Sequence, residues 1–312
     1  MIDRYRNFLN EGYYDYDPMG YSEPDFEKTR EIENRVSRFK DFISKLKGED
    51  KSVSSGSEVD DEEEDDSVSK DYQGKATSFS NVDEMIDLVV NYLKKHGITN
   101  PLVQRAILST IGKESGFTAT KEVSYKTTSP ERIREIFGSR FSDLTDEEIN
   151  ELKKNDDAFW EKVYGGDWGK KYLGNTNPGD GAKYVGRGFN GITGRANYQV
   201  YTDLLKKSGS NVDLIANPEI LEKDPNVSAE VNALYFVNSL TNPIIKKKYG
   251  NNDPNDFQSF ESALKAVVNA NAGAGVDINT GIAKKFYDKA LAANSKLGSK
   301  FDKALSGEEK IA

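Results

Sequence analysis

The stretch YVGRGFNGITGRANY, Tyr184 to Tyr198, is where the sequence chooses between fold classes. Its Gly186 to Gly191 portion, GRGFNG, has the G-x-G-x-x-G spacing of a dinucleotide-binding turn. That turn requires an apolar strand before it and an acidic residue about 20 positions later at a second strand end. Here NTNPGDGAKYV precedes and TGRANYQVYTDLLKK follows, so neither condition is met and a doubly wound parallel sheet is rejected. No phosphate-loop lysine pattern occurs either. What remains is a glycine-permitted turn where backbone can approach a ligand closely. Tyr184, Arg187, Thr193, Arg195, Asn197 and Tyr198 flank it, a mixture of donors, acceptors and aromatic faces that suits a sugar chain.

Outward from this turn the texture is helical. Met85, Ile86, Val89, Tyr92 and Leu93 form one apolar stripe, with Ser80 and Asp83 resembling a capping pair and Lys94, Lys95, His96 and Gly97 a favourable C-terminal end. His96, the single histidine, reads as a residue complementing the helix dipole. Asn100 and Pro101 open a second helix through about Ser115. Further helices are expected over Pro130–Phe137, Asp146–Val163, Asn197–Lys207, Ser228–Leu240, Phe260–Val268 and Ile282–Asn294. Strand signals are poor. Gly165–Gly194, rich in Gly, Asn and Asp, reads as a long structured loop of the kind that carries function. The fold class is therefore mainly α.

The chain has 312 residues, a net charge of -9 and no cysteine, which removes disulfides, thiol nucleophiles and cysteine-bound zinc. Mean hydropathy is -0.71, and no apolar run nears the roughly 18 residues a bilayer span needs. No membrane insertion and no signal peptide are expected. Residues 1–77 hold 12 Lys and Arg against 21 Asp and Glu, whereas residues 78–300 hold 29 against 28, so the acidity belongs to the first segment. A balanced remainder and an acidic total argue against nucleic acid as a partner. Ile32, Val36, Phe39, Ile43 and Leu46 make a narrow helical seam, read as an interaction or tethering segment within residues 1–50. Residues 51–78, with eight acids between Glu58 and Asp66, read as a disordered acidic linker. The main helical domain is placed at 79–300 and a flexible tail at 301–312.

Two carboxylates stand out. Glu114 continues the apolar stripe of the second helix (Val103, Ile107, Thr110) into its last turn. The negative helix end and burial both disfavour its ionisation and raise its pKa, which is what a general acid requires. Glu122 follows eight positions later, opening a polar stretch with Tyr125, Thr127 and Thr128, where two carboxylates could face one another.

The segments AILSTIGKESGF (Ala106–Phe117), EVSYKTTSPERIREIFGSRF (Glu122–Phe141), YVGRGFNGITGRANY and AVVNANAGAG (Ala266–Gly275) occur in that order. Together they resemble the family-19 glycoside hydrolases, the class I chitinase-like enzymes, and particularly their bacteriophage endolysin and virion-lysozyme branch. The resemblance covers about Ser80 to Leu297. It implies a lysozyme-like helical domain with a substrate cleft and an inverting hydrolysis of β-1,4 aminosugar links, needing no metal or cofactor. Glu114 matches the general acid and Glu122 the base, with the carboxyls roughly 6.5–9.5 Å apart. Thr193 matches the residue that helps hold the attacking water, and Asn197 and Asn269 match substrate-contacting asparagines. Tyr125, Tyr184, Arg187 and Arg195 fall among the expected cleft or cleft-supporting residues. Three departures stand against the pattern: Lys113 replaces the usual His, Ser115-Gly116-Phe117 is one glycine short, and Gly191 replaces a Gln.

The implied partner is the glycan strand of bacterial peptidoglycan, with chitin as the alternative polymer and a non-catalytic virion or glycan-binding protein as the alternative class. Synthesis in a host cytoplasm and action on the periplasmic wall, after release at lysis or from a virion, are the expected deliveries. The acidic extension favours attachment to phage tail or baseplate proteins.

Overall fold

The computed structural model describes residues 81–250, 253–272 and 277–306. The expected N-terminal helix at 32–46 and the acidic linker lie outside them. The described chain is mainly helical: α1 (Val82–Lys95), α2 (Pro101–Glu114), β1 (Thr120–Lys121), α3 (Pro130–Phe137), α4 (Asp146–Leu152), α5 (Asp156–Tyr164), α6 (Gly166–Leu173), α7 (Asp180–Lys183), β2 (Arg187–Gly188), α8 (Arg195–Lys207), α9 (Ile220–Lys223), α10 (Pro225–Leu240), α11 (Pro243–Tyr249), α12 (Phe260–Ala272) and α13 (Gly281–Ser306). Among the described residues no helix is long and apolar enough to cross a membrane.

Local chemistry explains most boundaries. The cap of α1 is Asn81, which accepts from the Glu84 amide at 2.9 Å, one residue after the expected Ser80. Asn100 caps α2 in the same way, with Pro101 supplying the preset φ of a first helical turn. The single helix expected over Asp146–Val163 is two, because the Asn155 side chain accepts from the amides of Asp157 and Ala158 and starts α5 afresh. The expected loop Gly165–Gly194 instead contains α6, α7 and β2. Asp224 with Pro225 begins α10 three residues earlier than expected, and Asn242 with Pro243 starts α11, which periodicity over seven residues did not reveal.

Three cores hold these elements. The largest joins α1, α2, α10, α12 and α13 through residues such as Ile86, Leu93, Ile107, Phe236, Val267 and Phe286. α13 lies along α2, where Gly112 leaves room for Ala293 and Leu297, and Arg105 donates to Asn294 at 2.8 Å. α13 also runs past residue 300, the expected end of the domain: Phe301 is fully buried and meets Phe117 edge-on, with centroids 6.1 Å apart. The second core is an aromatic cluster of Tyr125, Phe137, Phe141, Phe159, Trp160 and Tyr164, from α3, α5 and the loops before and after α3. The third gathers Tyr184, Tyr198, Leu205, Leu214, Leu221 and Val231.

One polar knot ties α1 to α10. Glu230 Oε1 accepts from Lys95 Nζ at 2.6 Å and Ser208 Oγ at 3.2 Å, and His96 Nε2 lies 3.0 Å away. Burial by itself would raise the Glu230 carboxyl, but the bonds to His96 and Lys95 outweigh it and hold the group below its ordinary value. A depressed folded-state value means that the knot stabilises the fold above the ordinary carboxylate range and loses that contribution as pH falls through the folded value. Melting temperature measured against pH should therefore drop on the acid side, and Glu230→Gln should flatten that limb while lowering stability near neutrality.

Candidate active site

The two-stranded antiparallel ladder is short, pairing Thr120 with Gly188 and Lys121 with Arg187. Its next rung fixes the site: the Glu122 amide donates to the Gly186 carbonyl at 2.7 Å. Beyond Gly188 the chain turns back at once, with Arg187 and Ile192 exchanging backbone bonds of 3.1 and 2.9 Å. The turn has positive φ at Gly188 and Gly191, 77° and 59°. Gly191, which stands in place of the Gln of the resembled pattern, therefore serves a left-handed backbone position that disfavours a side chain. The G-x-G-x-x-G string is thus the closing turn of a small hairpin.

Glu122 is 6% exposed. Tyr164 Oη lies 3.0 and 2.9 Å from its two carboxylate oxygens. The Tyr164 ring is fixed by a parallel stack on Trp160, with centroids 5.5 Å apart and planes 4° from coplanar. Burial pushes the Glu122 carboxyl up to about 7, with the Tyr164 and Gly186 bonds opposing that rise. Gly186 is an approach point: a Cβ there would stand 3.2 Å from Glu122 Oε2 and 3.2 Å from Thr193 Oγ1. The structure thus brings Glu122, Tyr164, Gly186 and Thr193 together.

Thr193 is buried and donates to the Gly191 carbonyl at 3.0 Å. Asn197, exposed at the start of α8, donates to the Thr193 carbonyl at 2.7 Å and so supports the backbone there. Arg195 forms a two-pronged pair with Asp180, at 2.8 and 2.9 Å, and lies 5.0 Å from the Tyr184 ring centroid. Burial alone would raise Asp180, but its bonds from Arg195 and Asn177 hold it below the ordinary range. Arg187 is a buried strut, donating to the Lys183 carbonyl at 2.7 Å and to Tyr198 Oη at 3.1 Å. Tyr184 donates to the Ile215 carbonyl at 3.2 Å from inside the third core, and Tyr125 sits inside the aromatic cluster. These four residues support the hairpin and its surroundings from within.

Glu114 belongs to a second group. Its Oε1 is bonded by Lys113 Nζ and accepts from Asn271 Nδ2 at 3.0 Å. Lys113 is itself buried, with its ammonium 3.4 Å from the centroid of Phe286 on α13. The cationic contact works against the burial and helix-end effects that the sequence alone suggested for Glu114. Asn269 is fully buried and accepts from Tyr249 Oη at 3.3 Å. Two positions along a helix turn a side chain by about 200°, so Asn271, not Asn269, meets Glu114. Sequence reading missed both Tyr164 and Asn271. The FW-x-x-VY spacing of Phe159 to Tyr164 marks a core face, and nothing in it marks the hydroxyl.

No protein-family model matches this chain, and a search of curated proteins returns no match. Gly186→Ala should push Glu122 and Thr193 apart and alter any activity that uses them, with little loss of helix content by circular dichroism. Lys113→Met leaves a buried carboxylate with its ammonium removed, which should cost about 3–5 kcal/mol in denaturant unfolding, more at high pH than at low.

Proposed function

We propose that this chain is a glycoside hydrolase acting on the β-1,4 links of peptidoglycan through Glu114 and Glu122. The observation that carries the reading is Glu122: a buried carboxyl raised to about 7, held by a tyrosine hydroxyl against a glycine and Thr193. A base whose proton affinity lies near the working pH is suited to accept a proton from water. In an inverting reaction Glu114 donates its proton to the leaving oxygen as the bond from that oxygen to the sugar's anomeric carbon breaks. Water attacks that carbon from the opposite face, and Glu122 takes the water's proton. Asn271 supports the reading: its Oδ1 is buried without a hydrogen-bond partner among the described residues, an acceptor suited to a sugar hydroxyl or acetamido N–H. The four-segment resemblance to the family-19 hydrolases points the same way. It also implies delivery to the wall from a lysing host or a virion, where phage tail or baseplate proteins would hold the N-terminal segment.

A second reading is favoured by one contact. Lys113 bonds Glu114 directly, which opposes the proton an acid must carry and fits a glycan-binding protein without catalysis. Chitin remains the alternative polymer for the enzyme reading.

Release of soluble sugars from peptidoglycan and from chitin, followed by mass spectrometry, tests these readings. Glu114→Gln and Glu122→Gln should each lower kcat at least about a hundredfold. Wild-type protein that binds but releases nothing would sink the enzyme reading. With Glu122 as base, wild-type activity should rise with pH through about 7. The same shift has a stability sign. A carboxyl whose folded value is raised stabilises most below its unfolded value and loses that contribution as pH rises through about 7. Glu122→Gln should therefore be more stable than wild type at pH 8 in denaturant unfolding, by on the order of 3 kcal/mol, while losing activity.

A further inference from the structure

The long final helix carries a feature that neither carboxylate uses. Lys285, Lys289, Lys296, Lys300 and Lys303 of α13 are all exposed, and the adjoining face, with Ala283, Phe286, Ala290 and Phe301, is buried. At about 100° per residue these five lysines fall within roughly 60° of arc, and at 1.5 Å per residue they extend over about 27 Å. No other residue of α13 between Lys285 and Lys303 falls within that arc; Ala292 and Ser299 lie about 20° and 40° outside it. The acids of the helix lie to one flank, where Asp288 pairs with Lys284 at 2.6 Å and Asp302 with Arg105. Lys300 reaches Asp83 at the start of α1.

Aligned cations on a rigid helix attract a linear polyanion whose charges recur along its length, and a well-packed helix keeps their attachment points in line. Lysine supplies point charges without the flat two-pronged fork of arginine, and no aromatic ring shares the arc to stack on bases. That chemistry favours spaced carboxylates over nucleic acid. The stripe also starts beside the site, since Lys285 and Lys289 flank Phe286, the ring on which Lys113 and hence Glu114 are seated.

We infer that the lysine stripe of α13 is a docking rail for the carboxylate-bearing peptide branches of bacterial peptidoglycan. The inference rests on the polymer proposed above and places its anionic branches along α13, one helix away from Glu114. An uncharged chitin chain would gain nothing from the stripe, so it also selects between the two polymers.

The test is the full-length triple variant Lys285→Gln, Lys289→Gln, Lys296→Gln, which leaves the Lys300–Asp83 pair intact. It is to be compared with wild type in sedimentation with insoluble peptidoglycan at low and high salt, with unfolding temperature as the folding control. The expected result is binding about tenfold weaker at low salt, a flatter salt dependence, and no difference between the two proteins on peptidoglycan whose carboxyls have been amidated. Hydrolysis of a short neutral chito-oligosaccharide should be unchanged. Equal binding of both proteins to untreated peptidoglycan would overturn the inference. So would tighter lysine-dependent binding to duplex DNA than to peptidoglycan at the same salt. Lysine-dependent binding to peptidoglycan by a wild-type protein that cuts no glycan would uphold the rail and reject the hydrolase reading, so the two failures are distinguishable.

Discussion

The hydrogen bond from the Glu122 amide to the Gly186 carbonyl is the constraint on which the candidate site depends. It continues a ladder of two residue pairs, too short to be stable alone, so the ladder is held by what surrounds it. Arg187 is pinned to Lys183 and Tyr198 on one side, and the Phe189 amide is anchored to Ser228 of α10 on the other. With the hairpin fixed, the Glu122 side chain lies over a position with no Cβ and beneath a tyrosine hydroxyl. A bulkier residue at Gly186, or a shift of register by one, would turn the carboxylate elsewhere.

The two carboxylates lie in contrasting settings although eight residues separate them in sequence. Glu114 ends a helix packed against α12 and α13 and meets an ammonium and an amide. Glu122 leaves a strand on the aromatic side of the molecule, and its carboxylate meets the Tyr164 hydroxyl while its own amide is bonded to the Gly186 carbonyl. Environments that push two carboxyls apart in proton affinity are the usual basis for dividing acid and base roles. Lys113 sets Glu114 apart from what the resemblance implies, because the cation sits on the residue matched to the acid. Phe286 beneath that ammonium shows why the lysine is tolerated: its charge is spread against an aromatic face and a carboxylate rather than left bare in the core.

Helices with strong local chemistry were legible from sequence. Asn100-Pro101 and the stripe from Met85 to Leu93 each combine a cap with an apolar period, and these helices, like the one expected from Pro130, start within two residues of their expected positions. Where the local signal was weak, tertiary packing decided. The last helix was expected over Ile282–Asn294, yet Leu297 and Phe301 dock against α2 and its following loop and carry α13 to Ser306. α6 and α7 hide in a segment rich in Gly and Asn, where no period is visible. The glycine turn was recognised as a turn, but its function as a hairpin closure required the partner strand at Thr120–Lys121, more than sixty residues away in sequence.

By itself the sequence determined a mainly helical chain, the location of its acidity before residue 78, the glycine turn, and the pair Glu114 and Glu122 as the residues to examine. Those conclusions depend on composition and on spacing along one element, which are local properties. Only the tertiary structure decided that Asn271 rather than Asn269 meets Glu114, that Tyr164 caps Glu122, and that Tyr125, Tyr184, Arg187 and Arg195 brace the site from inside. Those outcomes depend on which faces of distant elements meet, and a rotation of about 100° per residue along a helix makes each of them sensitive to packing that no local pattern encodes.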